Sequence, residues 1–325
     1  MFVSRSGCVF FLLTLAATAR AQQTTIRVPV RAVVASTLVV SRQGRYVAGL
    51  EAKDFRLYDA GRLQQIRVDT EELPITAVVA VQTNRDTREY VPLVAKVCNL
   101  VQDSLAGQNG KMALISYNDE VSLNKSFADD DVRSAFGRLR ADGGDARMID
   151  AGLEAVKLLK QVPASSSRVL LFIGQALDHG SKTDLSALEE AVEEENILVY
   201  SLRLPEFGKA FVGDSLSLTG KDGSGIQAGI ELTKIIPAMQ HSAKVQVKKD
   251  PFALLSTSTG GVELSFRKQK QLEDALIATG ASLRGRYSLS YSPDSNDPGY
   301  HKIQVQVDVP GAVVYTRPGY TYGSN

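Results

Sequence analysis

An apolar run at residues 75–81 stands out in the hydrophobic pattern of this chain, and it breaks off abruptly at five polar residues, 82–86. A run of this length without alternation predicts a strand that is buried on both faces, as in a parallel sheet. A helical pattern begins near Tyr90, so the polar segment lies in the turn at the carboxyl end of the strand. Open α/β sheets bind their ligands at that edge. Residues 82–86 are therefore the first candidate for a functional segment.

From residue 75 onward, apolar runs alternate with helical patterns. The runs predict strands at residues 112–117, 121–127, 168–173 and 197–202, and the helical patterns predict helices at residues 90–102, 130–139, 150–160 and 185–195. A last helix is traced by Leu272, Leu276, Gly280 and Leu283. Such alternation predicts an α/β fold with a doubly wound, mostly parallel sheet and helices on both faces.

Both ends of the chain have the pattern of β-strands instead. Residues 26–40 are rich in Val and Thr, and residues 302–309 alternate cleanly between apolar and polar positions. We predict that the end segments, 22–72 and 286–325, pair into one small all-β domain, and that the α/β domain, residues 73–285, is inserted in it. Residues 205–247 interrupt the periodicity with six glycines and predict a surface insertion.

Residues 1–21 have the parts of a secretory signal peptide. Arg5 provides positive charge, residues 9–17 are apolar but short for a bilayer, and Ala19-Arg20-Ala21 is a small-x-small cleavage site. An uncleaved membrane anchor is the alternative. No later segment is long and apolar enough to span a bilayer, so we expect no membrane span after cleavage and a periplasmic or secreted protein. Cys98 would then be the only cysteine, and its helical spacing predicts a buried position.

The composition excludes some classes of function but does not identify a single one. Of the 325 residues, 44% are hydrophobic and 22% are charged, which is typical of a folded globular protein. The formal net charge of +1 provides no strong field for binding nucleic acid. We therefore expect protein or small-molecule partners and no nucleic acid.

Eight different short motifs are spread over nearly the whole chain after the signal. They are Gly-Arg-Tyr-Val-Ala-Gly-Leu at 44–50, Lys-Asp-Phe at 53–55, Leu-Tyr-Asp at 57–59, Gly-Gly-Asp at 143–145, Ile-Asp-Ala at 149–151, Ser-Thr-Ser-Thr-Gly-Gly at 256–261, Tyr-Ser-Leu-Ser-Tyr-Ser-Pro at 287–293 and Arg-Pro-Gly-Tyr at 317–320. In their order and spacing, they resemble the von Willebrand factor type A domain and the bacterial, largely acidobacterial, secreted proteins related to it. The resemblance implies a doubly wound sheet that carries a metal-ion-dependent adhesion site.

In that family the site uses Asp-x-Ser-x-Ser after the first strand, a Thr in the loop after the second helix, and an Asp after the fourth strand. The resemblance places the first motif on Gln82, Asn84 and Asp86, the Thr on Asp145 or Ala146, and the later Asp on Gln175, with Asp178 close behind. Both signature aspartates are therefore glutamines in this chain.

A non-enzymatic protein-interaction module that works without metal is our first hypothesis. A divalent cation prefers charged oxygen ligands, and glutamine provides none. Such a module would need no cofactor, and it would bind an unknown protein partner at the carboxyl edge of the sheet. The candidate partner-binding residues are Gln82, Asn84, Asp86, Asp145, Gln175 and Asp178.

A rearranged magnesium site is the alternative. Asp86, Asp145 and Asp178 could supply its carboxylates, with Asp150 in the same region. Ordinary structural roles compete with metal binding at two of these residues. Asp150 could cap its helix, and Asp178 could be a loop residue.

An enzyme is the least favoured hypothesis. His179, His241 and His301 are scattered over three separate segments, and no set of nucleophile, base and orienting acid is suggested around them. Fold alone does not supply chemistry.

Overall fold

The computed structural model describes residues 32–69, 73–107, 109–128, 131–163, 166–204, 250–295 and 297–323. The predicted signal peptide (1–21), the first part of the N-terminal β segment (22–31) and the predicted insertion (205–247) lie outside these residues. Within the described ranges, no helix is both long enough and apolar enough to cross a bilayer.

Strands and helices divide the described chain into a β segment, an α/β block and a second β segment. The strands are β1 Val33–Val40, β2 Phe55–Asp59, β3 Arg62–Leu63, β4 Arg67–Asp69, β5 Ile75–Gln82, β6 Lys111–Tyr117, β7 Val121–Lys125, β8 Ser167–Gly174, β9 Leu198–Arg203, β10 Glu263–Ser265, β11 Arg286–Tyr291, β12 Gly299–Val307, β13 Val313–Tyr315 and β14 Gly319–Tyr322. The α-helices are α1 Val91–Lys96, α2 Cys98–Leu105, α3 Val132–Gly137, α4 Met148–Lys160, α5 Leu185–Glu194, α6 Pro251–Thr259 and α7 Gln269–Arg284.

Six strands form the central sheet, in the order β10-β9-β8-β5-β6-β7. Neighbouring strands are parallel except for the pair β6 and β7. The chain runs from β5 to β6 and β7 on one side and then crosses to β8 on the other, so the strand order reverses between β5 and β8. The carboxyl edge at such a reversal is where doubly wound sheets bind ligands.

The central strand β5 shows why the sequence folds this way, because all eight of its residues are buried. A strand that is apolar on both sides requires a layer of helices on each face of the sheet. Helices α1, α2, α3 and α7 cover one face, through side chains such as Val101 and Leu276. Helices α4, α5 and α6 cover the other, through side chains such as Met148 and Leu188. The predicted α/β fold class is confirmed.

The β segments from the two ends of the chain form a sandwich of two sheets, β13-β1-β11-β4 and β14-β12-β2-β3. In the first sheet β1 pairs antiparallel with β11, and in the second β2 pairs antiparallel with β12. Leu57 and Leu289 are fully buried between the sheets, in a core separate from those of the α/β block. Each sheet therefore combines strands from both ends of the chain.

One prediction of local structure is wrong in detail. The single helix predicted at residues 90–102 is two helices that break at Val97, where a ψ of 12° leaves the helical region. Helical spacing does not reveal the break, because Val94 and Cys98 are buried on either side of it. After the hairpin of β2 and β3, β4 crosses over and pairs with β11 in the other sheet of the sandwich. The predicted burial of Cys98 is confirmed.

Candidate functional site

Gln82 and Gln175 meet where the strand order reverses. Gln82 is the last residue of β5, and Gln175 directly follows β8. The two strands are parallel neighbours, with Val81 opposite Ile173, so both glutamines leave the sheet at the same edge. Tertiary structure thus brings together two residues that are 93 positions apart in sequence.

The side-chain amides at this edge are joined in a network of hydrogen bonds. The Gln175 backbone N–H donates to Gln82 Oε1 at 2.6 Å. Gln82 Nε2 donates to Asn84 Oδ1 at 3.0 Å and to Gln175 Oε1 at 3.4 Å. Asn84 Nδ2 in turn approaches Asp86 Oδ2 at 3.5 Å. Each amide oxygen of the three residues, Gln82, Asn84 and Gln175, therefore already accepts a hydrogen bond from within the network.

This amide network, Gln82, Asn84 and Gln175, lies beneath the surface. The three residues are only 1%, 2% and 3% exposed. Asp86, the last residue of the same sequence motif, is exposed. A partner that approached this edge would therefore contact Asp86 and the surrounding loops before it could reach the amides.

Thr87 fixes the turn that follows β5, and the sequence patterns did not single it out. Its hydroxyl is within 3.0 Å of the backbone carbonyls of both Gln82 and Asn84, to which it donates, and the residue is fully buried. Residues Arg85–Thr87 form one turn of 3-10 helix. The sequence did contain a signal for this role, namely a threonine in a polar turn, because a Thr hydroxyl there can bond to a nearby backbone carbonyl.

Gly174 and Tyr117 lie directly behind the amide network. A Cβ atom on Gly174 would come within 2.7 Å of Gln82 Oε1 and 2.6 Å of the Tyr117 hydroxyl, so only glycine leaves room for this packing. The Tyr117 hydroxyl is buried and has no hydrogen-bond partner in the described part of the chain. Burial raises the pKa of Tyr117, and the charge of Asp178 raises it further.

Asp119 organises the neighbouring loop, and it too was missed as a site residue. Its Oδ1 accepts from the backbone N–H groups of Gly144 at 2.9 Å and Asp145 at 2.6 Å. These bonds, the one from Asp145 first, lower the pKa of the Asp119 carboxyl. Gly143, with φ of +74°, lets the loop close against that carboxylate.

Asp178 holds the start of α4 rather than standing as a free loop residue. Its Oδ1 accepts from the Ile149 backbone N–H at 2.9 Å and from the Ser181 hydroxyl at 2.6 Å. A carboxylate at the first turn of a helix satisfies an N–H group that has no partner within the helix, and it interacts favourably with the helix dipole.

Asp150, at the start of α4, and Asp145, just before it, both contact the loop that follows β8. The Asp150 carboxylate accepts from the Lys182 backbone N–H at 3.1 Å, so it binds the facing loop and does not cap its own helix. The Asp145 carboxylate lies over Gly180, where a Cβ would meet it at 2.6 Å and where φ is +83°. The backbones of Ala146 and His179 also form an isolated antiparallel β-bridge.

The three carboxylates of the alternative magnesium site thus have different neighbours. Asp86 accepts from Asn84, Asp145 lies over Gly180, and Asp178 accepts from the backbone at the start of α4. Within the described ranges, no three His, Cys, Asp or Glu side chains form a group that could hold a metal ion.

The histidines are separated as well. His179 is exposed at the carboxyl edge, whereas His301 is buried in the β-sandwich, and His241 lies outside the described residues.

No model of a known protein family matches this sequence, and no curated protein matches it. Solved structures resemble it in fold. A von Willebrand factor type A protein from Catenulispora acidiphila is 10% identical with a TM-score of 0.45, over 90% of this chain and 74% of that one. An aerotolerance-related membrane protein from Bacteroides fragilis is 12% identical with a TM-score of 0.41, over 63% and 98%. BatB from Bacteroides thetaiotaomicron is 13% identical with a TM-score of 0.41, over 64% and 98%.

Proposed function

We propose that this chain is a non-enzymatic protein-binding module, periplasmic or secreted, that binds its partner at the carboxyl edge of the central sheet without a divalent cation. The observation that carries the proposal is the buried amide network of Gln82, Asn84 and Gln175. It occupies the position at which the resemblance to von Willebrand factor type A domains implies a metal site.

The donor set at this position does not fit magnesium. Magnesium is bound through charged or strongly polar oxygen atoms in octahedral geometry. Here Gln82 offers Nε2, a donor, toward Asn84 and Gln175, and its Oε1 is already bonded to a backbone N–H at 2.6 Å. Each carboxylate replaced by an amide removes about 4 kcal/mol of attraction per unit of cation charge, at 4 Å and an effective dielectric of 20.

The remaining acids at the edge serve as structural acceptors, which supports a binding role over a catalytic one. Asp119, Asp150 and Asp178 each accept backbone N–H groups and hold loops in place. A general acid or base has to be within reach of a substrate proton. The groups that a partner can contact are those at the rim, among them Asp86, His179 and Lys182, which are exposed.

Calorimetry on the full chain tests the absence of a metal site. We expect titration with magnesium, manganese and calcium to give no saturable binding at micromolar concentration, and the melting temperature to be unchanged by magnesium. Saturable one-to-one binding that is lost in Asp86→Ala would overturn this part of the proposal and favour the rearranged site.

A double variant provides the positive control. Gln82→Asp combined with Gln175→Asp restores two carboxylates at the position of the network, and we expect magnesium to raise its melting temperature. If neither this variant nor the wild type responds to magnesium, loop geometry and not the donor set prevents binding.

Partner binding is tested by capture from periplasmic and membrane fractions, with a matched pair of charge reversals. Asp86→Lys changes the rim, and Asp103→Lys changes an exposed residue of α2 away from it. We expect a partner that is retained in EDTA by the wild type and by Asp103→Lys and is lost with Asp86→Lys. Equal loss with both variants, or loss in EDTA, would contradict the proposal.

A further inference from the structure

A second polar cluster lies in the β-sandwich, away from the carboxyl edge. It consists of Asp59 on β2, His301 on β12, Tyr291 on β11 and Tyr320 on β14, all of them buried, with exposed fractions of 7% or less. Four strands from both sheets therefore meet at one carboxylate and one imidazole.

The hydrogen bonds of His301 define its charge. Nδ1 lies 3.1 Å from Asp59 Oδ1, and Nε2 lies 2.7 Å from the backbone carbonyl of Asp297. A carbonyl oxygen can only accept. Asp59 Oδ2 accepts from the hydroxyls of Tyr291 at 3.0 Å and Tyr320 at 2.8 Å, the pattern of an ionised carboxylate. Both ring nitrogens therefore face acceptors, and only the imidazolium form, with two N–H groups, can donate to both.

The aromatic rings around His301 suit the same charge state. The imidazole stacks on Tyr320, with ring centroids 5.0 Å apart and planes at 26°, and Tyr322 meets it edge-on at 6.2 Å. A cation over the face of an aromatic ring is stabilised by the charge distribution of the ring.

We propose that the imidazolium of His301 is a pH-sensitive latch, which ties β2, β12 and β14 and the turn before β12 together and is released as the pH rises. Loss of one proton leaves a ring nitrogen with its lone pair against either Asp59 or the Asp297 carbonyl. That contact changes from a charge-assisted hydrogen bond to a repulsion between two acceptors. The sandwich then loses either the side-chain bond from β12 to the turn or the side-chain bond from β12 to Asp59 on β2, which adds to the backbone pairing of these two strands.

The groups that face the ring set the direction of the pH dependence. They are the Asp297 carbonyl and carboxylate from the turn, Asp59 from β2, and Tyr320 and Tyr322 from β14. The bond to Asp297 raises the pKa of His301 most, burial opposes it, and Asp59 adds to the rise. A folded-state pKa above the unfolded value of about 6.5 means that the stabilisation is fully present below about pH 6.5 and is lost as the pH rises through the folded-state pKa.

NMR of the ring nitrogens in the full chain provides the direct test. At about pH 6 we expect both nitrogens of His301 to carry protons, and we expect the titration midpoint to move to lower pH in Asp59→Asn, which removes the charge and keeps the shape. A single protonated nitrogen at that pH, or a midpoint unaffected by Asp59→Asn, would overturn the proposal.

Thermal unfolding provides the second test. Between about pH 6 and pH 9 we expect a fall in the wild-type melting temperature that is absent in His301→Gln, a neutral side chain that can donate from one nitrogen only. His179→Gln is the matched control, because its exposed side chain lies outside the cluster, and it should keep the fall. The same fall in His301→Gln as in the wild type would also refute the latch.

Discussion

Substitution of Gly174 by alanine tests the packing beneath the amide network most sharply. The new Cβ would lie 2.6 Å from the Tyr117 hydroxyl and 2.7 Å from both Cβ and Oε1 of Gln82, closer than real Cβ atoms come to other atoms. Overpacking in a closed core costs about 1–3 kcal/mol. If Gln82 moves aside, the Gln175 N–H loses its acceptor, and an unsatisfied buried N–H costs about 1–3 kcal/mol more.

We therefore expect Gly174→Ala to lower the free energy of unfolding by about 2–6 kcal/mol. This corresponds to a fall in melting temperature of roughly 3–10 °C for a protein of this size. Urea unfolding followed by circular dichroism should show a lower midpoint with an unchanged slope, since the surface exposed on unfolding is the same.

Gly144→Ala is the matched control. Gly144 lies in the neighbouring loop, and a Cβ there would meet nothing within 4 Å. Its backbone N–H, which donates to Asp119, is kept in the variant. We expect a change within about 0.5 kcal/mol of the wild type. Equal stabilities of Gly144→Ala and Gly174→Ala would refute the close packing of Gln82 over Gly174.

Tyr117→Phe separates the two contacts. By itself it removes a buried hydroxyl without a partner in the described residues, so it should be neutral or stabilising. Combined with Gly174→Ala, it removes the nearest clashing atom and should recover part of the lost stability, with a coupling energy of about 0.5–3 kcal/mol. Strict additivity of the two changes would show that the hydroxyl and the new methyl group do not meet.

Two further predictions concern the junction between the sandwich and the α/β block. The Arg286 guanidinium donates to the Tyr200 hydroxyl at 3.2 Å, to the Ser36 carbonyl at 3.0 Å and to the Gly260 carbonyl. We expect Arg286→Ala to lower the free energy of unfolding, measured with urea, by about 2–4 kcal/mol. Arg286→Lys should recover less than half of this loss. Deletion of residues 287–325 removes the partners of β1 and β2, so hydrogen exchange in residues 33–69 should become fast; protection retained there would contradict the joint sandwich.

The sequence by itself determined the features that depend on neighbouring positions. The uninterrupted apolar run of β5 can be buried only between two layers, and alternation at both ends is enough to predict strands. The presence of Gln82 and Gln175 at the two positions where the resemblance expects aspartates is also a property of the sequence alone.

Contacts between distant residues were decided by the tertiary structure. Periodicity marked Asp150 as a possible helix cap and Asp178 as a loop residue, whereas the fold brings Asp178 to the Ile149 N–H and turns Asp150 toward Lys182. The break at Val97 leaves the spacing of buried residues intact and is therefore invisible in it.

The amide network and the imidazolium of His301 have the same origin. Each requires groups from strands that are far apart in sequence to arrive within hydrogen-bonding distance, Gln82 with Gln175 and Asp59 with His301. Hydrogen bonds are short-ranged and directional, so their partners depend on where the strands cross and pair, and local patterns of hydrophobic and polar residues carry no information about that.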